Sequence, residues 1–407
     1  MTLPQEIKVK LGVPDIPPYS PRETTLFREG RKVILVILDG VSSSVFETAH
    51  MQTIRKLQRE GFSYSHCVTT TPTITGSAHT SIHTGTYPSV HGVGLPYTYA
   101  EGTGVHPAPP SSFNSYIADS LRMRGMSSAA VSDGAAKNAF ISVYGEGFFG
   151  HSIAAVAEEW RHVFFRYKPR LTTVTFYATD TLGHRFGSGH EMVYAALEDI
   201  DVEVDRFAAE LADAGELDDI LWIFTADHGM ASTENPINEW VDGKLAKGHW
   251  IAPNMRCLLV EDELAAELQS VDWVDKIAAH DACAALGLGV PEDRTLICLN
   301  PGFGYHGAKP EMANHGGLTE TERRVPLVLS GLGVKPGQSA VPVETIDIAP
   351  TIAEVLGGAW LDTFAGRVLV EAFGHSLAPE MEVLTEQRRK QYAYIHSSAR
   401  VLESSRL

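Results

Sequence analysis

The chain has 407 residues, of which 44% are hydrophobic and 20% charged, and its formal net charge is -17. This composition is typical of a globular protein with a large core. The acidic balance excludes a general attraction to nucleic acid or to an anionic membrane surface. An anionic ligand would therefore need a local source of positive charge, and bound metal ions would supply it.

The four cysteines are far apart and form no C-x-x-C pair, which fits a reducing compartment better than a disulfide scaffold. The N-terminal residues lack the apolar core of a signal peptide. No segment approaches the ~18 apolar residues needed to span a bilayer. We therefore expect a cytoplasmic protein with no membrane partner, whose oligomeric state the sequence does not indicate.

The first elements predict a buried strand followed by a helix. Residues 1–30 contain several prolines and are interpreted as an N-terminal arm. VILVILDG (33–40) is a continuous apolar run, which is typical of a parallel strand covered on both faces. Residues 47–61 have apolar residues at helical spacing and end at Gly61, so they predict a helix.

The same alternation continues along the chain. Residues 117–125 and 191–215 predict helices, and 127–133, 171–180, 219–229 and 324–331 predict strands. Residues 345–357 predict a loop that leads into a helix. Alternating strands and helices indicate an α/β fold with a mostly parallel central sheet flanked by helices.

Residues 232–312 interrupt the alternation and are interpreted as an inserted cap subdomain. The core would then consist of 31–231 and 313–407, and a smaller insertion would occupy about 96–113. Long insertions in compact α/β cores are usually functional, so we expect the cap to influence substrate choice. Its candidate contacts with a ligand are Trp240, Trp250, Tyr305 and Lys247, although the tryptophans could equally form the cap's own core.

Three predicted strands end at an acidic residue, namely Asp39, Asp180 and Asp227. An aspartate after a strand is usually a cap or a turn former, so each is a weak signal alone. In open α/β sheets, however, ligands bind beyond the carboxyl ends of the strands, where the three carboxylates would converge.

Histidines accompany these aspartates in ATDTLGHRFG, TADHGM and MANHGG, as His184, His228 and His315. Carboxylates and neutral imidazoles are suitable ligands for zinc and related divalent ions. Three of each are enough for two ions about 4 Å apart, which can hold a nucleophile and a phosphoryl oxygen together.

The segment TTTPTITGSAHTS provides a candidate nucleophile, Thr75. A hydroxyl is a poor nucleophile unless a base or a metal ion activates it. Other hydroxyls compete, and the segment is also compatible with a loop that caps a helix beginning near Ser77. Both interpretations can hold, because a helix N-terminus stabilises a phosphoryl group, with the N–H of Gly76 as a candidate donor.

These motifs together resemble the alkaline phosphatase superfamily, and most closely its type I phosphodiesterase / nucleotide pyrophosphatase branch, which includes phosphonoacetate hydrolase. The similar segments run in family order: VILVILDG, TPTITGSAHTSIHTGTYPSVHGV, DTLGHRFG, TADHGM, NHGG and DIAPTIAEVLG. The resemblance implies a phosphodiesterase or phosphonate hydrolase with a covalent phosphothreonine at Thr75. It also implies two zinc ions, one held by Asp180, His184 and His315 and the other by Asp39, Thr75, Asp227 and His228.

The chain departs from the family pattern at two places. Where phosphodiesterases of this branch have an asparagine that holds a phosphoryl oxygen, this chain has Pro96, which has no donor. We expect another donor to replace it, with Tyr97 first and His79 or Lys137 behind it. Phosphonoacetate hydrolases have two closely spaced lysines where this chain has only Lys137.

The substrate is therefore expected to be a small phosphate or phosphonate anion. A phosphate monoesterase and a phosphonoacetate hydrolase remain alternative enzymes. A mutase is disfavoured because no basic cluster is present, and a sulfatase because TITGS lacks the C-x-P-x-R or S-x-P-x-R motif. A binding protein without activity is the alternative from another class.

Overall fold

The computed structural model describes residues 30–95, 98–100, 104–106, 114–143, 152–306 and 310–407. Pro96 and Tyr97 lie outside these residues. So do the predicted arm, except for Gly30, and most of the smaller insertion predicted at 96–113.

The central sheet has eight strands, numbered here in chain order: β1 (Lys32–Leu38), β2 (Phe62–Tyr64), β3 (Ser128–Val131), β4 (Ile141–Val143), β5 (Leu171–Phe176), β6 (Ile220–Thr225), β7 (Leu327–Gly331) and β8 (Gly337–Ser339). Their spatial order is β8-β2-β7-β6-β1-β5-β3-β4. All neighbouring pairs are parallel except those of β7, which is antiparallel to both β6 and β2. This confirms the predicted α/β class with a mostly parallel sheet.

Helices cover the sheet, and the described residues contain fourteen: α1 (Ser43–Thr48), α2 (Gln52–Glu60), α3 (Thr75–Thr84), α4 (Pro88–His91), α5 (Ile117–Arg122), α6 (Ile153–Tyr167), α7 (Ala178–Phe186), α8 (Glu191–Asp213), α9 (Asn238–Leu245), α10 (Asp262–Glu267), α11 (His280–Ala285), α12 (Glu320–Arg323), α13 (Ile348–Leu356) and α14 (Pro379–Ile395). Strand β1 lies at the centre and buries nearly all its side chains, which explains its uninterrupted apolar sequence.

Some predicted boundaries differ from the structure. The helix predicted at 47–61 begins only at Gln52, because residues 43–48 form a separate short helix. The strand predicted at 171–180 ends at Phe176, and its last residues belong to α7. Asp180 therefore lies in the first turn of a helix rather than at a strand end. Its partner His184 follows one turn later, where residues four apart share a helix face.

A second sheet has five strands, four of which lie between β6 and β7 in sequence. Its strands, in spatial order, are Ile251–Asn254, Cys257–Glu261, Arg294–Leu299, Val274–Ala278 and Val401–Leu402. The first four are antiparallel, and the last runs parallel to its neighbour. This last strand comes from the C-terminal segment that the sequence-based division places in the core. The division of the chain into core and cap stays a prediction.

The segment that carries most of this second sheet leaves and rejoins the core at one place. Ala231–Ser232 pairs antiparallel with Ala313–Asn314, so residues 233–312 start and end beside each other. The second sheet has apolar clusters of its own, separate from the cluster around β1. Trp240 and Trp273 pack edge-to-face in one of them, with ring centroids 4.9 Å apart.

A small three-stranded sheet contains a strand that precedes the nucleophile candidate in sequence. Cys67–Val68 is its middle strand, between Arg324–Val325 and Val343–Glu344. Cys67 and the other three cysteines, Cys257, Cys283 and Cys298, are buried and free. In the described part of the chain, no helix combines the length and apolar character needed to cross a membrane.

Candidate metal centre

The carboxyl ends of β1, β5 and β6 bring the predicted aspartates to one edge of the sheet. Asp39 directly follows β1, and Asp227 comes two residues after β6. Asp180 is reached through α7, which begins two residues after β5. Since β1 lies between β5 and β6 in a parallel arrangement, the three acidic residues meet beyond the central strand.

One group of residues, called here the inner cluster, consists of Asp39, Thr75, Asp227 and His228. The Thr75 hydroxyl oxygen lies 3.0 Å from Nε2 of His228. The same Nε2 lies 3.1 Å from Oδ2 of Asp227 and 3.8 Å from Oδ1 of Asp39. Both carboxylates and the imidazole have 0% exposure. Two carboxylates and one imidazole, all suitable metal ligands, therefore lie close to one hydroxyl.

Several oxygens of the inner cluster are buried without a hydrogen bond. These are both carboxylate oxygens of Asp39 and Oδ2 of Asp227. The other oxygen of Asp227 accepts from the N–H of Gly40 at 3.1 Å. Buried carboxylate oxygens without a donor are costly unless a cation satisfies them, so this arrangement fits a metal ion.

The second group, called here the outer cluster, consists of Asp180, His184 and His315. Nε2 of His184 lies 3.4 Å from one oxygen of Asp180, and Nε2 of His315 lies 3.8 Å from the other. The side chains of His184 and Asp180 are 20% and 16% exposed. The outer cluster is therefore more open to solvent than the inner one.

The three histidines have the same orientation toward the backbone. Nδ1 of His184 lies 3.0 Å from the carbonyl of Ala313, that of His315 lies 2.8 Å from Thr73, and that of His228 lies 3.1 Å from Gly229. A carbonyl only accepts hydrogen bonds, so each Nδ1 carries the proton. Nε2 of each ring therefore faces the aspartates, which is the orientation that metal-ligating histidines adopt when Nε2 is deprotonated.

Burial and the neighbouring charges shift the pKa values of these groups in different directions. Burial, together with the carboxylates of Asp227 and Asp180, raises the pKa of Asp39 well above its usual value. Burial also opposes ionisation of Asp180, but His184 and His315 outweigh it and lower its pKa to about 2. Burial and the neighbouring His228 lower the pKa of His315 to about 3. A neutral His315 retains the lone pair that a metal ion needs.

When the residues are grouped by how close their potential ligand atoms lie, the groups differ from the two predicted ligand sets. Two of them have all their ligand atoms within 4.8 Å of one another: Asp39 with His79 and Asp227, and Asp180 with His228 and His315. His228 stacks on His315 with ring centroids 3.7 Å apart, which places it between the two clusters. The assignment of individual ligands stays a proposal.

His79 contacts the inner cluster although the sequence indicated it only as a substitute phosphate donor. Its Nε2 lies 3.5 Å from Asp39 and 3.4 Å from Asp227, and its Nδ1 lies 3.0 Å from Oδ2 of Asp133. The same oxygen of Asp133 is 2.9 Å from Nε2 of His83 and accepts from the Thr175 hydroxyl. A buried network therefore supports the inner cluster from behind.

A signal for Asp133 was present in the sequence. It follows β3 at the same distance at which Asp227 follows β6. His79 and His83 lie one turn apart on α3, so both reach this carboxylate. These two imidazoles outweigh the effect of burial and hold the pKa of Asp133 well below its usual value.

The structure distinguishes Thr75 from the competing hydroxyls. Thr75 is the first residue of α3, two residues before the predicted start. The Thr73 hydroxyl donates to the carbonyl of Gly317 and accepts from the N–H of Gly316, so it serves to position the loop of His315. The Thr80 hydroxyl donates back to Gly76 within the helix.

A cavity of about 640 Å³ opens beside Thr75. Its lining includes Gly76, His79 and Lys137, together with Tyr116 and Tyr177. A methyl group built on Gly76 would meet nothing within 4 Å, so this end of α3 faces open space. Lys137 is exposed and is the one lysine or arginine among the described lining residues. Tyr97 lies outside the described residues.

Comparison with known sequences decides the family. The sequence profile of the type I phosphodiesterase / nucleotide pyrophosphatase family matches residues 33–112 and 94–285. The chain belongs to this family. The predicted resemblance is thereby confirmed, and the chain is a phosphoester hydrolase of the alkaline phosphatase superfamily. Curated protein sequences gave no match.

Solved structures show the same fold at low sequence identity. Murine ectonucleotide pyrophosphatase / phosphodiesterase 5 is 15% identical, with a TM-score of 0.67 over 81% of this chain and 96% of that one. Its human counterpart is 15% identical, with a TM-score of 0.67 over 84% and 98%. Wild-type alkaline phosphatase PafA is 14% identical, with a TM-score of 0.68 over 84% and 99%.

Proposed function

We propose that the protein hydrolyses phosphodiesters or related phosphonates with two divalent zinc ions and with Thr75 as nucleophile. The observation that carries the proposal is the shared orientation of His184, His228 and His315. Each Nδ1 lies beside a backbone carbonyl and each Nε2 faces an aspartate carboxylate; among these carboxylates, both oxygens of Asp39, Oδ1 of Asp180 and Oδ2 of Asp227 are buried without a hydrogen bond. Bound divalent ions would supply positive charge at the nucleophile and the phosphoryl oxygens.

The residues of the chain have distinct roles in this proposal. Thr75 Oγ1 loses its proton to solvent, attacks phosphorus and forms a phosphothreonine, while the ester oxygen departs with its electron pair and takes up a proton from solvent. Water then cleaves the phosphorus–oxygen bond to Thr75 and releases the product. Gly76 follows Thr75 in the first turn of α3, where N–H groups and the helix dipole stabilise a phosphoryl oxygen.

Two features support a diester over a monoester. The cavity of about 640 Å³ beside Thr75 has room for a second ester group. A monoester is a dianion at neutral pH and would benefit from several fixed cations, whereas Lys137 is the one lysine or arginine in the described lining. A structure of an inactive variant of murine ectonucleotide pyrophosphatase / phosphodiesterase 5 contains AMP; this ligand is a phosphate monoester, so it supports a nucleotide-like ligand but does not favour a diester.

The substrate contacts proposed here are Gly76, Lys137 and Tyr97, with Tyr97 replacing the asparagine lost at Pro96. The cap remains a proposed determinant of substrate choice. Among its tryptophans, Trp240 lies against Trp273, and the guanidinium of Arg294 lies 4.4 Å from the ring centroid of Trp250. Neither Trp240 nor Trp250 lines the described cavity beside Thr75.

The test combines metal analysis with a substrate panel. Elemental analysis of purified protein is expected to give two divalent ions per chain. Bis(p-nitrophenyl) phosphate is expected to have a higher kcat/KM than p-nitrophenyl phosphate or phosphonoacetate. Full activity of metal-stripped protein would refute the metal-dependent mechanism. Two bound ions with no turnover of any ester would favour a binding protein instead.

A further inference from the structure

A second cavity, of about 310 Å³, lies between helix α14 and the three-stranded sheet that contains Cys67–Val68. It shares no described lining residue with the cavity beside Thr75. Part of its wall is apolar, formed by Val68, Ala340, Pro342, Val343 and Ala393. The remaining wall is polar and includes Arg323. The cavity is large enough for roughly ten water molecules or one small organic molecule.

Arg323 has no partner for its charge among the described residues. Its side chain lines the cavity and is 4% exposed, and its Nε and Nη1 are buried without a hydrogen bond. Burial lowers the pKa of Arg323, and Glu344 offsets this effect only in part. Glu344 also lines the cavity, but Nε and Nη1 of Arg323 have no acceptor, and buried donors of a charged group without an acceptor are strongly disfavoured.

The nearby acidic side chains are already occupied. Arg388 binds both oxygens of Asp347, at 2.7 and 3.1 Å, and lies 3.0 Å from Glu344. The hydroxyl of Tyr87 also donates to Glu344, at 2.6 Å. These contacts direct the carboxylates toward Arg388, which explains why Glu344 does not pair with Arg323.

Arg256 shows how this fold satisfies an equally buried arginine. It has 0% exposure, pairs with Glu322 at 2.9 Å, and donates to the carbonyls of Leu299, Asn300 and Phe303. Arg323 follows Glu322 directly in sequence but has no comparable acceptors. The contrast indicates that Arg323 is arranged for a partner that is not among the described residues.

We propose that this cavity binds a small organic monoanion, with its carboxylate on the guanidinium of Arg323 and its apolar body against Val68, Pro342 and Val343. One carboxylate suffices because Arg323 is the one unpaired arginine in the described lining. Arg389, which also lines the cavity, is exposed and pairs with Glu386 at 2.7 Å. The apolar wall favours an organic acid over inorganic phosphate, since phosphate has no surface to pack against it.

The test uses the full-length protein and three probes: benzoate, its uncharged analogue benzyl alcohol, and inorganic phosphate. Calorimetric titration is expected to show saturable binding of benzoate and at least about tenfold weaker binding of benzyl alcohol, because a charged hydrogen bond is lost. Phosphate is expected not to compete with benzoate. Arg323→Gln should weaken benzoate binding at least about tenfold.

Two further variants locate the binding site. Arg59→Gln, at an exposed arginine that does not line the cavity, is the matched control and should bind benzoate like the wild type. Ala393 lines the cavity and is exposed, so Ala393→Phe should be tolerated while it obstructs entry and weakens benzoate binding. If Arg323→Gln does not fold, Ala393→Phe decides the question.

Four results would overturn the proposal. Three concern the wild type: no binding of benzoate, equal affinity for benzoate and benzyl alcohol, or displacement of benzoate by phosphate. The fourth is unchanged benzoate binding in Ala393→Phe and, if it folds, also in Arg323→Gln. The last result would place benzoate elsewhere, the metal centre included.

Discussion

The inner and outer clusters use similar ligand types but differ in how the chain supports them. In the inner cluster, Asp39 and Asp227 follow adjacent central strands, and a second layer formed by His79 and Asp133 packs behind them. In the outer cluster, Asp180 and His184 lie on a single helix, and both are partly exposed. We infer that the inner cluster is the more rigid of the two and that a bound metal ion exchanges more readily at the outer cluster.

The largest expected effect is a loss of kcat on removal of the Thr75 hydroxyl from the inner cluster. Thr75→Ala should reduce kcat by about a thousandfold or more, because removal of a nucleophile abolishes the covalent route. Both metal ions should stay bound, since six Asp and His ligands remain. Rates of bis(p-nitrophenyl) phosphate hydrolysis and elemental analysis check the two expectations, and Thr75→Ser should retain partial activity.

Thr84→Ala is the matched control for this variant. The Thr84 hydroxyl bonds to the carbonyl of Thr80 on the same helix, but it does not line the cavity beside Thr75. Its kinetics should be close to those of the wild type. A Thr75→Ala protein that keeps a substantial share of the wild-type rate would exclude Thr75 as the nucleophile.

The second prediction separates the two clusters by metal content. His184→Ala should lose the outer ion and leave the inner one, which reduces activity by roughly a hundredfold because one of two charges at the phosphoryl group is gone. Titration of the wild type with a chelator should likewise release one ion before the other. Elemental analysis at each step measures the stoichiometry, and simultaneous loss of both ions would contradict the proposed difference in rigidity.

The third prediction compares the supports of the two clusters. Asp133 accepts hydrogen bonds from Thr175 and from the N–H groups of Ala135 and Ala136, and it contacts His79 and His83. Asp133→Asn should lower the free energy of unfolding by about 3 kcal/mol, because a buried network of donors loses its charged acceptor. Denaturant titration measures the change.

Glu311→Gln is the corresponding substitution at a residue that contacts the outer cluster. Glu311 lies 3.6 Å from Nδ1 of His184, and its side chain is 36% exposed, so solvent already screens the contact. This variant should change the free energy of unfolding by less than about 1 kcal/mol. Similar losses for Asp133→Asn and Glu311→Gln would show that the two clusters are supported alike.

The sequence predicted the parts of the centre that depend on local pattern. An uninterrupted apolar run ending in Asp39 specifies a central strand, and its position in the sheet brings Asp227 beside it. The helical position of Asp180 was not predicted, because the strand pattern of β5 continues into ATD without a turn residue. The contact between His79 and Asp133 joins residues 54 positions apart, which no local pattern reveals.

Arg323 is the clearest limit of sequence reasoning in this chain. In TETERRVPL it is followed by a second arginine, which is typical of a solvated surface. Arg323 is nevertheless buried, whereas Arg324 pairs with the exposed Glu320. The difference arises from the tertiary packing of α14 and the three-stranded sheet against Arg323, so the cavity has no signature in its own segment.

The smallest expected effect is on kcat/KM and concerns a proposed substrate contact in the cavity beside Thr75. Lys137 lines the cavity beside Thr75 and is exposed, so it can approach a phosphoryl oxygen only as a partly solvated cation. Lys137→Met should lower kcat/KM for bis(p-nitrophenyl) phosphate by about tenfold, since one charged hydrogen bond is lost. Metal content should not change, because Lys137 is not a metal ligand.

Lys56→Met on α2 is the matched control, since Lys56 is also exposed but does not line the described cavity. It should leave kcat/KM unchanged. Tyr97→Phe complements the pair because it removes one hydroxyl and preserves the ring. If Lys137→Met has no effect and Tyr97→Phe lowers kcat/KM tenfold, the donor that replaces the missing asparagine is Tyr97. Wild-type kinetics in both variants would assign that role to the N–H groups at the start of α3.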